Sequence, residues 1–214
     1  MSGKSVRADR ASATREAILV TAERLYAEHG VHAVSNRQIS DAAGQGNNTA
    51  VGYHFGTKTD LVRAIVRKHA APMERLRADL LVRAEGSGEI RDWVACLVRP
   101  STAHLDELGS PTWYARFIAQ VTTDPALREI LVGESMTSQV MIRVIEGLNR
   151  CLPALPAPIR VERGEMSRHL MIHVPAERER ALAEGTPTPR ATWQDAADGL
   201  IDVIAGMWTA PVSA

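Results

Sequence analysis

An all-α fold is predicted for this 214-residue chain, and three observations predict it. Apolar residues recur at helical spacing, as in Ile18, Ala22, Leu25 and Tyr26, and again in Tyr114, Phe117, Ile118 and Val121. Cap signals stand in front of such runs: Ser35 with Gln38, Thr57 with Asp60, and Thr192 with Asp195. No alternation of strand period reaches a useful length. Hydrophobic content of 45% with 23% charged residues is that of a globular chain, long enough for one to two domains with a full core.

The elements follow in order. Residues 1–11, with Lys4, Arg7 and Arg10, are expected to form a flexible basic arm, either a phosphate-wrapping segment or a solvated tail. The first helix is expected over about Ser12–His29, with Gly30 as its C-terminal cap. Ser35 caps a second helix, with Gln38 placed for a capping box and Val34 and Ile39 for a hydrophobic staple. Gly44 supplies the left-handed residue that closes it. Asn47 or Asn48 then caps a third helix through Thr49, Ala50, Val51, Tyr53, His54 and Phe55, which Gly56 ends. Phe55 is expected to plug the core shared with the first helix. Thr57 and Asp60 open a longer helix carrying Leu61, Ala64 and Ile65, which Pro72 is expected to end or bend.

Residues 72–214 read as helical throughout. Gly86-Ser87-Gly88 breaks the chain before a helix over Ile90–Val98. Ser110-Pro111 is expected to cap a helix with proline at its first position, and Asp124-Pro125 to do the same for one long helix reaching Cys151. Pro153, Pro156 and Pro158 form a stiff linker to a helix over about Ile159–Glu184, kinked at Pro175. Gly185–Arg190 is a loop, and the last helix faces Leu200, Ile204 and Met207 inward. The expected division is an arm at 1–11, a small helical domain at 12–70 and a larger one at 71–214.

Two short helices meeting over a glycine turn describe a helix-turn-helix. The outward residues of its second helix are Asn47, Asn48, Thr49, Tyr53 and His54, followed by Lys58. These side chains reach phosphates and base edges, and almost no acid stands among them. An ordinary helical corner with a polar face is the competing reading. Charge favours the first. The chain is neutral overall, but residues 1–70 hold ten Lys/Arg and six Asp/Glu, net +4. The remainder holds 25 − 10 = 15 against 25 − 6 = 19, net −4. A basic head on an acidic body is the asymmetry expected if the head alone meets nucleic acid.

Thr14-Arg15, Ile18-Leu19, Ala22, Leu25-Tyr26 and Gly30, then Ser35, Ile39-Ser40 and Ala42-Ala43-Gly44, then Tyr53-His54-Phe55, Lys58 and Leu61, together resemble the DNA-binding domain of the tetracycline-repressor (TetR) family. The resemblance covers about the first 70 residues. Between Ala43-Gly44 and Tyr53-His54-Phe55 the chain has one residue more than the usual family spacing, as in a subgroup with a longer turn. It implies a homodimeric, sequence-specific transcriptional repressor on a double-stranded palindromic operator. In the roles so implied, Asn47, Asn48 and Thr49 approach base edges, Tyr53, His54 and Lys58 hold phosphates, and Ser35 and Arg37 anchor the backbone. The last two long helices would pair with their symmetry mates. Trp93, Trp113, Tyr114, Phe117, Met136 and Met141 lie on helices that in the family surround a cavity for a small apolar or amphipathic effector, although they could equally fill the core. An effector-independent regulator, and an all-α ligand carrier or enzyme, are the alternatives.

Catalytic and metal signatures are not found in the sequence. It has no P-loop, no Gly-x-Gly-x-x-Gly and no Gly-x-Ser-x-Gly. His169 and His173 share a helix face, but no Glu completes a zinc motif. Cys96 and Cys151 sit in apolar helical contexts as free thiols. The expectation is therefore a non-enzymatic protein without cofactor or metal. The N-terminus is polar and no uncharged run is long enough to span a bilayer, so a cytoplasmic protein without membrane contact is expected.

Overall fold

The computed structural model describes residues 2–47 and 49–212, with side chains from Asp9 onward. All regular structure among these residues is helical: α1 (Ser2–His29), α2 (Asn36–Ala42), α3 (Ala50–Phe55), α4 (Lys58–Ala84), α5 (Ile90–Leu108), α6 (Tyr114–Thr122), α7 (Pro125–Met136), α8 (Gln139–Cys151), α9 (Ala157–Ala183) and α10 (Trp193–Thr209). No helix among the described residues is long and apolar enough to cross a membrane.

Five helix boundaries differ from the sequence expectation. The helix expected over Ile90–Val98 runs on through Pro100 to Leu108, held there by the buried Thr102, His104 and Leu105. Residues 2–11 continue α1 and are not an irregular arm. They contain no proline, and Lys4, Arg7, Ala8, Arg10 and Ala11 are good helix formers, so an existing helix propagates back through them at one backbone bond per residue. Pro72 does not end α4, because buried residues pin that helix on both sides of it: Ile65, Val66 and His69 before, Arg77, Leu81 and Ala84 after. Ser110-Pro111, a cis peptide, does not start α6. That helix begins at Tyr114 and is capped from a distance, the buried Glu179 carboxylate of α9 accepting from the Ala115 and Arg116 amides at 3.0 and 2.9 Å. The expected long helix from Asp124 to Cys151 is two helices, since Ser138 caps α8 by accepting from the Met141 amide.

One apolar cluster holds α1, α2, α3 and the start of α4 together. Ile18, Ala22, Tyr26, Ile39, Val51, Leu61, Val62 and Ile65 are all fully buried in it. It continues into the body through Leu105, Phe117, Val121 and Leu127, so the head rests on α5, α6 and α7. A second cluster lies below, where Trp93, Val94, Val144, Ala197, Ile201 and Ile204 join α5, α8 and α10.

Polar ties span the joint between head and body. His32, in the α1–α2 loop, lies 2.6 Å from the Asp124 carboxylate that also caps α7. Arg67 of α4 donates to both oxygens of Glu134 on α7.

Candidate nucleic-acid interface

Local chemistry builds the head's outer edge. Ser35 and Gln38 form the capping box in full: the Ser35 hydroxyl accepts from the Gln38 amide at 3.2 Å, and the Gln38 side chain accepts from the Ser35 amide at 2.8 Å. Ser35 therefore fixes the start of α2 while remaining at the surface. Arg37 extends into solvent with 75% of its side chain exposed and only a loose pairing to Asp41 at 3.8 Å. Gly44, at φ +67°, turns the chain after α2.

Asn47 and Thr49 are brought together and act first on each other. The Asn47 side-chain oxygen accepts from the Thr49 amide at 2.9 Å and from its hydroxyl at 2.7 Å. The N-cap of α3 is Thr49, without a side-chain cap bond, so Asn47 does not cap the helix as expected but closes an Asx turn just ahead of it, which leaves its amide N–H groups to donate outward. Asn48 lies outside the described residues. On α3, Ala50 and Val51 face the core, and the next turn faces out. Tyr53 is 83% exposed, the most exposed of the large hydrophobic side chains described. The half-buried His54 ring meets the Tyr53 ring edge-on at 5.0 Å. A phenol held this far into solvent contributes nothing to the core and is available to a ligand. Phe55 is only half buried, with the Arg15 guanidinium 4.6 Å over its ring.

Lys58 corrects an expectation. Its ammonium donates to the Val31 and Val34 carbonyls at 2.9 and 2.7 Å, tying the start of α4 to the loop between α1 and α2. Partial burial holds its pKa below the usual lysine range. The reason is proximity: these carbonyls lie outside the helix ladders and need a donor. Because both partners lie more than twenty residues away in sequence, no local signal could have announced the bond.

The six residues expected around an effector do not converge. Trp93 packs in the lower cluster, its indole N–H donating to the Ser87 carbonyl. Tyr114 and Phe117 stack on each other in the upper cluster, where Phe117 also stacks on Tyr26 and Trp113 packs at the margin. Met136 is exposed at the end of α7, and Met141 is half buried on α8. The reason is that α5 and α6 turn their aromatic faces toward different clusters.

A different surface is unpartnered. Between α9 and α10 lies an apolar concavity of about 590 Å³ lined by Leu170, His173, Val174, Ala181, Leu200 and Val203. Val161, Met166, Val174 and Val203 are exposed on the same two helices. His169 and His173 sit on α9 with ring centres 6.0 Å apart, and no metal-holding group of three is found among the described residues.

Comparisons with known proteins agree with this architecture. The sequence profile of bacterial regulatory proteins of the tetR family matches residues 18–65, and that of the tetracyclin repressor-like C-terminal domain matches residues 95–207. The HTH-type transcriptional repressor AcnR of Corynebacterium glutamicum is 37% identical over 65 residues, 30% of this chain and 34% of that protein. AcnR of Corynebacterium efficiens is 38% identical over 60 residues, 28% of this chain and 31% of that protein. The chain thus spans about a third of the length of the curated relatives it matches. The multidrug binding protein EbrR, solved with imidazole, shares the fold at TM-score 0.51 and 17% identity, covering 93% of this chain and 92% of that one. So does PfmR of Thermus thermophilus, at TM-score 0.51 and 15% identity over 88% of this chain and 96% of that one.

Proposed function

This chain belongs to the tetR family of bacterial regulatory proteins, and from that premise we propose that it is a homodimeric transcriptional repressor. The observation that carries the proposal is the outer face of α2 and α3: Arg37, Asn47, Thr49, Tyr53 and His54 stand on a fully cored head, with Asp41, loosely paired to Arg37, as the acid beside them. Arg37 and His54 suit phosphates, as does the Tyr53 hydroxyl, while the free amide of Asn47 suits a base edge or a phosphate. Asn48 keeps its proposed place beside a base edge, and Ser35 its place at the backbone. Lys58 serves by holding the turn rigid.

Two heads are needed for a palindromic operator, and the α9–α10 face supplies the means. Pairing that apolar surface with its symmetry mate would build a four-helix bundle and cover Met166, Val174 and Val203. The heads would then address successive major grooves, about 34–36 Å apart or somewhat wider. The direct experiment is selection of bound fragments from genomic DNA with purified protein at physiological salt. A pseudo-palindromic motif is the expected result; binding without a motif, or no binding, would defeat the proposal.

Release by a small apolar or amphipathic effector is the regulatory form of this reading. A constitutive regulator is the second reading, favoured by the way Tyr26, Phe117 and Tyr114 stack in series. A compound that raises the melting temperature and lowers operator affinity together would separate the two.

A further inference from the structure

Three buried polar groups from three helices form a chain across the joint between head and body. Glu23 of α1, His69 of α4 and His104 of α5 are 6%, 3% and 7% exposed. The Glu23 carboxylate accepts from the His69 Nε2–H at 2.8 Å, and His69 Nδ1 lies 2.8 Å from His104 Nε2. Tyr114 of α6 stacks on the His69 ring at 3.9 Å and stands edge-on to His104 at 5.9 Å. His104 Nδ1 is buried without a partner.

Proton counting restricts this arrangement. The His69 Nε2–H is committed to Glu23, and the ring-to-ring bond needs one hydrogen between two nitrogens. The two rings can therefore hold two protons, with the shared hydrogen on His104 Nε2, or three, with it on either nitrogen. A fourth would set N–H against N–H at 2.8 Å in a buried place. We propose that Glu23, His69 and His104 form an acid-released latch between the DNA-binding head and the body, closed with up to three ring protons and opened by uptake of the fourth.

The surroundings do not relieve the fourth proton. Among the groups around the rings, Glu23 is the acid, and it already receives His69. Arg77 of α4 adds positive charge nearby, its guanidinium donating to the Cys96 carbonyl and pairing with Glu74. Tyr114 and Cys96 are pushed upward in pKa, chiefly by burial, and stay neutral. Tyr26 of α1, likewise raised by burial, stays neutral too. Glu179 of α9 is spent on the α6 amides and Arg116. Burial first, and then His69, push His104 down from 6.5 to about 4, with Glu23 acting weakly the other way. A histidine depressed in the closed state favours closure fully above pH 6.5, and that contribution is lost as pH falls from 6.5 towards 4. Between pH 7.5 and 5.5 the opening equilibrium therefore rises about tenfold.

His104→Gln is the test, because the glutamine amide can still donate to His69 Nδ1 and cannot take a second proton. Urea unfolding of wild type and variant at pH 7.5 and 5.5 should show wild type losing about tenfold more in its folded-to-unfolded ratio. Equal losses, within about twofold, would overturn the latch. Should the variant not fold, NMR of both rings in wild type decides: three protons or fewer shared by His69 and His104 in the folded state at pH 5.5 support the latch, and four overturn it. The consequence for the head rests on the regulator reading and has its own arm, the affinity for a selected DNA fragment at the same two pH values. A steeper pH dependence in wild type supports coupling to the head, and identical dependence overturns that coupling. If no fragment binds at either pH, the regulator reading fails while unfolding still decides the latch.

Discussion

Lys58 and Arg37 both carry positive charge on the head, and the structure uses them differently. Lys58 spends two N–H groups on backbone carbonyls at 2.9 and 2.7 Å. Arg37 stands 75% exposed beside an ion pair too open and too solvated to hold it. Lys58→Met should therefore lower stability by roughly 1–3 kcal/mol, since hydrogen bonds to a charged group are lost and two acceptors are left without a donor. The salt dependence of DNA binding should barely move. Arg37→Ala should leave stability within about 0.5 kcal/mol and flatten the slope of log K against log salt by about one. Urea melts and binding titrations at several salt concentrations measure both quantities. The reverse pattern would return Lys58 to the DNA backbone and leave Arg37 without a role.

At the scale of elements, Gly147 makes the case that tertiary contact overrides local preference. A glycine inside α8 costs about 1 kcal/mol against alanine in an isolated helix. Here an added Cβ would fall inside contact distance of the Trp93 ring, a fully packed side chain of α5 with no free end to swing away. Gly147→Ala should thus destabilise by about 1–3 kcal/mol despite the better helix former, read as a lower urea midpoint at unchanged slope. An unchanged or higher midpoint would mean that α5 and α8 are loosely joined. The same distinction explains what the sequence disclosed. Caps whose partners lie two or three residues apart were legible: Ser35 with Gln38, Thr57 with Asp60, Asp124 with its two amides, Thr192 with Asp195. The start of α6 was not, because its cap is Glu179, 64 residues along the chain from the Ala115 amide it receives. The break before α8 had a local signal in Ser135-Met136-Thr137-Ser138, which the apolar spacing on either side masked. Glu23, His69 and His104 carry no mutual spacing at all, being joined only by the packing of three helices.

For the whole molecule, the unanswered demand is the apolar face of α9 and α10. Val203 is 57% exposed in a single chain and Val174 44%, at a concavity also lined by Leu170 and Leu200. A contiguous patch of this kind is unusual on a monomeric surface and is the sort that a partner covers. The basic head gives the reason to expect a second copy, since one helix-turn-helix alone secures only half of a palindrome. Val203→Asp sets a carboxylate on that face without disturbing either core, so the single chain should melt nearly as before. Sedimentation should then report a monomer where wild type gives a dimer. Losing the second head removes the avidity of two linked half-sites, so operator affinity should fall by about 10²–10⁴, while the weak, salt-sensitive binding of one head to any DNA remains. A variant that stays dimeric would place the interface elsewhere on the body. A monomer that kept full operator affinity would mean that one head suffices, and the two-fold arrangement on DNA would fall with it.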